Sequence, residues 1–319
     1  MFKLALDQIS YIGDDLQRNE VVLATRQGDL FMPDKRGGVA VVRADGRTEL
    51  ILAKGGPEGL LPNGIALLPD RSFLIANLGP TGGVWHMRPD GTMTPKLLEV
   101  DGKPLEPTNF VGTDAAGRIW VTVSTRAIPR EQSMKKGHAD GYIVLIDDKG
   151  ARIVADGLGF TNEAIVDPGG RFLYVNETIA RRTSRLEIRA DNSLGPRETF
   201  AQYGAGTFPD GFAFDSEDAV WTVSVVSNRI IRTTQDGRQQ IIIQDADDDW
   251  LAVVEKAFDD GSYNRTHLDS GKERTLKNLS GIGFGGPDLK TVYLGSLFGT
   301  RIATFRSPVA GAAPVQWLY

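Results

Sequence analysis

The chain has no cysteine and only three histidines among its 319 residues. Disulfide frameworks, zinc–thiolate sites and a cysteine nucleophile are thereby excluded. His86, His138 and His267 are too few and too far apart to form an imidazole metal set. No apolar run approaches the roughly 18–20 residues that a membrane helix needs. The opening MFKLALDQIS has no basic segment followed by an apolar stretch, so no signal peptide is expected and the default location is cytoplasmic. Lysine and arginine form no stripe, and the net charge of −5 argues against a nucleic-acid surface. What remains is 41% hydrophobic and 24% charged residues, the makeup of an ordinary globular chain able to bury a sizeable core.

What the sequence does have is a repeat. Six short phrases recur: Glu20-Val21-Val22, Asn63-Gly64-Ile65, Asn109-Phe110-Val111, Asn162-Glu163-Ala164, Asp210-Gly211-Phe212 and, weaker, Ser280-Gly281-Ile282. Their spacings of 43, 46, 53, 48 and 70 residues are those of a four-stranded propeller blade. Each unit reads as an apolar first strand, a turn rich in Asp, Gly and Pro, a second strand with a large apolar centre, a third that often ends in Asp-Gly, and a variable fourth. TELILA, QQIIIQ and the terminal PVQWLY are examples of the fourth. Period-2 alternation is blurred, as expected where both faces of a sheet pack on neighbouring blades. The expected fold is therefore all-β: one six-bladed β-propeller domain over residues 1–319, four antiparallel strands per blade. LALDQISYIG near the start is expected to add a strand to the last blade. Trp120 and Trp221 read as core between blades.

Three segments interrupt the repeat. Residues 124–140 are expected to overhang one mouth of the channel as a lid. Residues 98–109, with Pro104 and Pro107, read as a rigid approach to blade three. Residues 244–278 carry a helical pattern, DDDWLAVVEKAFDDG, between blades five and six, with acids at its start and a glycine after its end. Trp250, Val253, Val254 and Ala257 would share one face. This insertion is read either as a cover on an adjacent blade or as a subunit contact that would make the protein a homo-oligomer. The acidic run DADDDW lacks the Gly and terminal Glu of an EF-hand and reads as the solvated helix start.

In a propeller the first strand of every blade lines the axis, so the six openers should converge at one mouth. Their donors are carboxylate, amide and hydroxyl oxygens only, which suit a hard cation such as Ca²⁺ or Mg²⁺. Glu20 and Asp210 would neutralise a divalent ion and, without one, would repel each other. Asn-Gly and Asp-Gly are also ordinary turn chemistry when taken singly; six matched positions favour the cation site.

The openers, with FPDGFAFDSEDAVWTVS and GFGGPDLKTVYLGS, make the whole chain resemble the gluconolactonase, senescence-marker-protein and luciferin-regenerating family of six-bladed propellers. The resemblance implies a divalent metal, usually calcium, with Zn²⁺, Mn²⁺ or Fe²⁺ as alternatives. Its ligands would be Glu20, Asn109, Asn162 and Asp210. It implies metal-assisted hydrolysis of a lactone, with Asp210 either the general base or a pure ligand. Asn63, Phe110, Ser280 and the lid residue His138 are the candidate substrate contacts. The chain departs from the family pattern at Val21-Val22, where Gly-Pro is common, at Phe110 in place of Asp, at Pro107 in place of a sugar-binding Arg, and at Glu163 in place of Gly. Losing the Arg and gaining Phe110 points toward a more apolar lactone or ester, and Glu163 is read as structural. Glu177 is expected to line the pocket or pair with Arg181 or Arg182. The alternatives kept open are phosphotriester hydrolysis, a metal-assisted lyase step, or a binding propeller with a structural cation.

Overall fold

Short runs of Val, Ile, Leu, Phe and Trp, each ended by a turn, pair with the next run in sequence, and six such meanders close into a ring. The computed structural model describes residues 2–319. It is a six-bladed β-propeller with four antiparallel strands in each blade. The innermost strands are Leu23–Ala24, Pro62–Leu67, Thr108–Thr113, Thr161–Val166, Thr207–Phe214 and Leu279–Gly285. Among the described residues, no helix is long and apolar enough to cross a membrane.

Both faces of a blade are apolar because each packs on a neighbour. Trp120, Ile143, Leu145, Ala164, Leu173 and Val175 join blades three and four, while Trp221, Ile230, Phe284, Val292 and Leu294 join five and six. The two tryptophans are tied down in the same way. The indole of Trp120 donates to Asp114 at 2.8 Å and that of Trp221 to Asp215 at 2.8 Å, each Asp ending its blade's inner strand. The same carboxylates accept the amides of the following turn, so one side chain fixes turn and core together.

The ring closes as a latch. Ser10–Ile12 pairs with Ile302–Thr304 as the fourth strand of blade six, as the N-terminal segment predicted. The terminal PVQWLY is not a strand: Val315–Leu318 forms a 3₁₀ turn, because the edge it would occupy is already taken. Residues 99–104, in the approach to blade three, fold back as a two-stranded ribbon.

The insertion between blades five and six holds α1 (Asp248–Asp260), capped by the Asp247 carboxylate on the Trp250 amide, and the short α2 (Arg265–Leu268). The buried face of α1 is Leu251, Val254, Ala257 and Phe258; Val253 points outward, 48% exposed, and Trp250 is half-buried. The predicted stripe was rotated because Leu251, Val254 and Phe258 stand at the i, i+3, i+7 spacing of one face. They pack with Met134 of the lid, Phe160, Ile179, Phe208 and Leu297. Lys136 reaches Asp259 at 2.7 Å, joining lid and insertion into one cover.

Candidate functional site

Glu20 lies just ahead of its strand, whereas the other five openers lie near the start of theirs, with a register break at or beside each. The antiparallel pairing shifts between Pro62 and Ile65, Thr108 and Phe110, Thr161 and Ala164, Pro209 and Phe212, and Leu279 and Gly281. A bulge re-aims a side chain and lets the strand bend. Here Asn63, Asn109, Asn162, Asp210 and Ser280 sit in those breaks. The glycines that follow have a packing reason, not a turn reason. A Cβ at Gly64 would lie 2.5 Å from the Phe110 Cα, and one at Gly211 would lie 2.5 Å from the Ser280 carbonyl oxygen. Neighbouring inner strands approach too closely there for any side chain.

A hydrogen-bond chain links the cluster across the mouth. The Asn63 amide donates to Glu20 Oε1 at 2.9 Å and to the Asn109 carbonyl at 2.8 Å. Asn109 donates to Asn162 Oδ1 at 2.9 Å, and Asn162 donates to Thr178 Oγ1 at 3.1 Å. Thr178 in turn donates to the Pro209 carbonyl at 2.8 Å, and Asn176 donates to that of Asp210 at 2.8 Å. Ser280 holds the Glu20 carbonyl at 3.3 Å, a backbone role. The structure thus brings Glu20, Asn63, Asn109, Asn162 and Asp210 together, all buried.

Asp210 is the discordant member. Its Oδ1 is buried with no hydrogen-bond partner. Burial, and then the Glu20 carboxylate, push its pKa well above the ordinary value, against the pull of Arg18, Asn162 and Arg130. Glu163, directly beneath, is likewise raised by burial; it accepts from the Phe212 amide at 3.2 Å and is opposed by Asp210 and Glu20. Unpaired buried carboxylates are costly and mark places where a counter-charge belongs.

Two of the candidate contacts lie elsewhere. The Phe110 ring packs over Gly64 and Gly112 and lines a cavity of about 580 Å³ further down the axis, among Val22, Ile65, Phe212 and Phe284. The argument from Phe110 toward an apolar substrate therefore loses its footing. His138 lies 3.0 Å from Asp140 on the lid. His86 meets Ser72 at 2.8 Å, and His267 accepts the Asn264 amide in the insertion; both are structural. Glu177 belongs to an ion pair with Arg182 at 2.7 Å.

Two residues that sequence reasoning passed over enter the site instead. Arg18 donates to Glu20 Oε2 at 2.9 Å and to Asn63 Oδ1 at 2.7 Å. Arg130, from the lid, reaches Ser124 Oγ at 3.0 Å and Asn109 Oδ1 at 3.5 Å. The one local signal was their nearness to an opener and to the lid, which many charged residues share.

The donor set suits a hard cation. The orphaned Oδ1 of Asp210 and the Oδ1 of Asn109, which has only 3.5 Å contacts, are free for further bonding. Among the described residues no three His, Cys, Asp or Glu side chains are grouped to hold a metal. Oxygen-only sets of this kind match Ca²⁺ better than softer ions.

Fold and mouth together define an axial-site β-propeller with a polar cluster at one end. The family model described as the SMP-30/Gluconolactonase/LRE-like region matches residues 62–244. The chain belongs to that gluconolactonase-like family. The 6-deoxy-6-sulfogluconolactonase of Pseudomonas putida is 24% identical over 160 residues, 49% of this chain and 52% of the relative, so the chain spans about half the length of that curated relative. A gluconolactonase from Xanthomonas campestris shares the fold at 18% identity and a TM-score of 0.67, covering 94% of this chain and 88% of its own. Regucalcin from Agrobacterium tumefaciens, a calcium-binding protein, does so at 17% identity and 0.69, covering 100% and 98%. At these identities the structural likeness carries the fold alone.

Proposed function

We propose that this protein is a divalent-cation-dependent lactonase working at the axial mouth, with Ca²⁺ the favoured ion. The observation that carries the reading is the buried, partnerless Oδ1 of Asp210 inside a ring of oxygen donors. Family membership supports lactone chemistry, as do the names of the sulfogluconolactonase and the gluconolactonase; regucalcin's description supports calcium. Glu20, Asn109, Asn162 and Asp210 would hold the ion. Once bound, it would supply Lewis acidity toward the substrate carbonyl and its developing negative charge.

The chain's own groups do the rest. Asp210 accepts the proton of the attacking water as the new C–O bond forms. It returns that proton to the ring oxygen when the old C–O bond breaks, leaving a hydroxy acid. Asn63 orients Glu20 and Asn109, and the lid with α1 restricts water at the mouth. A panel of sugar lactones, aromatic lactones, aryl esters and organophosphates, assayed with and without chelator, tests this. Chelator-sensitive ring opening is expected; phosphotriester turnover alone, or no turnover on any substrate, contradicts it.

A further inference from the structure

Among the described residues, one arginine at the mouth has no carboxylate in direct contact with it. Among the fold's other part-buried arginines, Arg181 pairs with Glu255 at 2.5 Å, Arg182 with Glu177 at 2.7 Å and Arg232 with Asp215 at 2.7 Å, while Arg229 pairs with no described carboxylate but spends Nε and Nη1 on Gln244, Thr207 and the Ala205 carbonyl. Arg130 is different. Its guanidinium lies over the Phe160 ring, 5.0 Å from the centroid, and its contacts are the neutral oxygens of Ser124 and Asn109, both to Nη2. That pins one corner of the fork and leaves Nε and Nη1 without a hydrogen-bond partner among the described residues. Burial, the cation of Arg265 and the cation of Arg18 lower its pKa to about 10, so it stays charged at neutral pH. Arg265 is itself matched by Asp269 at 2.8 Å.

Across the mouth Arg18 is held in the left-handed region, φ 58, with its Nε buried and without a partner. A non-glycine residue in that conformation costs of order 1–3 kcal/mol, and such strain clusters at functional sites. The charges near the cluster then sum simply. Glu20 and Asp210 offset Arg18 and Arg130 when no ion is present. With a divalent ion held by Glu20 and Asp210 the mouth carries a net positive charge even when Glu163 beside them is ionised, a costly state where it is partly desolvated.

We propose that the substrate supplies the missing negative charge: the mouth accepts a lactone or ester bearing a fixed anionic substituent, a carboxylate, sulfonate or phosphate ester. Arg130 is its docking group and Arg18 the second contact. Guanidinium forks match such oxyanions in geometry as well as charge. This deepens the lactonase reading: it rests on that reading for the reaction and on the bound ion for the unbalanced charge, but not on lactone turnover.

The test therefore has two arms. In the first, one neutral lactone is compared with the same lactone carrying each anionic substituent. The wild type should favour at least one anionic form by tenfold or more in kcat/KM. Arg130→Gln should reduce that preference at least fivefold, chiefly through KM, and Arg130→Lys should keep more of it than Arg130→Gln. In the second, propanesulfonate, butyrate and inorganic phosphate are titrated by saturation-transfer NMR with and without Ca²⁺, needing no turnover. At least one should bind the wild type, more tightly with Ca²⁺, and lose binding in Arg130→Gln. A wild type without anionic preference, or equal losses on neutral and anionic substrates in Arg130→Gln, overturns the proposal. If no lactone is opened, the lactonase reading fails and the NMR arm alone decides; no binding by any probe then overturns the anion site.

Discussion

Two buried carboxylates, 33 residues apart in sequence, show how the same chemistry serves different ends. Glu177, in blade four, is saturated: Arg182 donates to it twice, at 2.7 and 2.8 Å, and Ser184 and the Gly159 amide complete its shell. Burial alone would raise its pKa, but these donors outweigh it and hold the group below the ordinary range. Asp210, at the mouth, has an empty Oδ1, a like charge in Glu20 and a raised pKa. A fully satisfied network rigidifies; a half-satisfied one is unstable unless something else arrives. The first is therefore architecture, and the second is where the proposed ion would sit.

The largest effect should follow from Asp210→Asn. Turnover of the best lactone should fall by about 10²–10⁴-fold, the range of a lost proton-transfer group, while thermal unfolding of the metal-free protein shows no loss of stability. A stability loss comparable to that of Glu177→Ala would erase the contrast. Glu177→Ala comes next. It leaves Arg182 without its partner and should cost about 2–4 kcal/mol in chemical denaturation, discounted from a fully buried pair because Arg182 is partly exposed.

The same residue gives a pH signature. Since folding lowers its pKa, its contribution is present above the unfolded Glu value of 4.5 and is lost as pH falls through the folded value. Denaturation midpoints should drop on acidification below that value, and Glu177→Ala should flatten the drop. Smallest is Asp247→Ala, which removes the cap on the Trp250 amide, 3.0 Å away. About 1 kcal/mol is expected, read as faster amide exchange in α1, the helix that packs on Met134, Phe160 and Phe208, with the ring's exchange unchanged.

The ring was legible because its period, its Asp-Gly turns and its aromatic strand centres are local patterns. So was the convergence of Glu20, Asn109, Asn162 and Asp210, since equivalent positions in a closed ring share the axis. The face of α1 was misjudged because apolar residues lie on more than one side of it, and only the contact with Met134 and Phe208 selects the buried set. Arg18 and Arg130 were invisible for a similar reason. One lies in a loop and one in the lid, outside the repeat, and nothing in periodicity says which surface arginine turns inward. The opener glycines were open to a turn reading until the crowding of Gly64 and Gly211 against neighbouring strands showed what they allow.

The central claim is that the axial oxygen cluster binds one divalent ion through Asp210. Calorimetric titration of metal-stripped protein with Ca²⁺ tests it most directly. One site per chain is expected in the wild type, with heat lost in Asp210→Asn and retained in Glu177→Ala if that variant is folded. No uptake by the wild type, or uptake that Asp210→Asn leaves intact, would contradict the account.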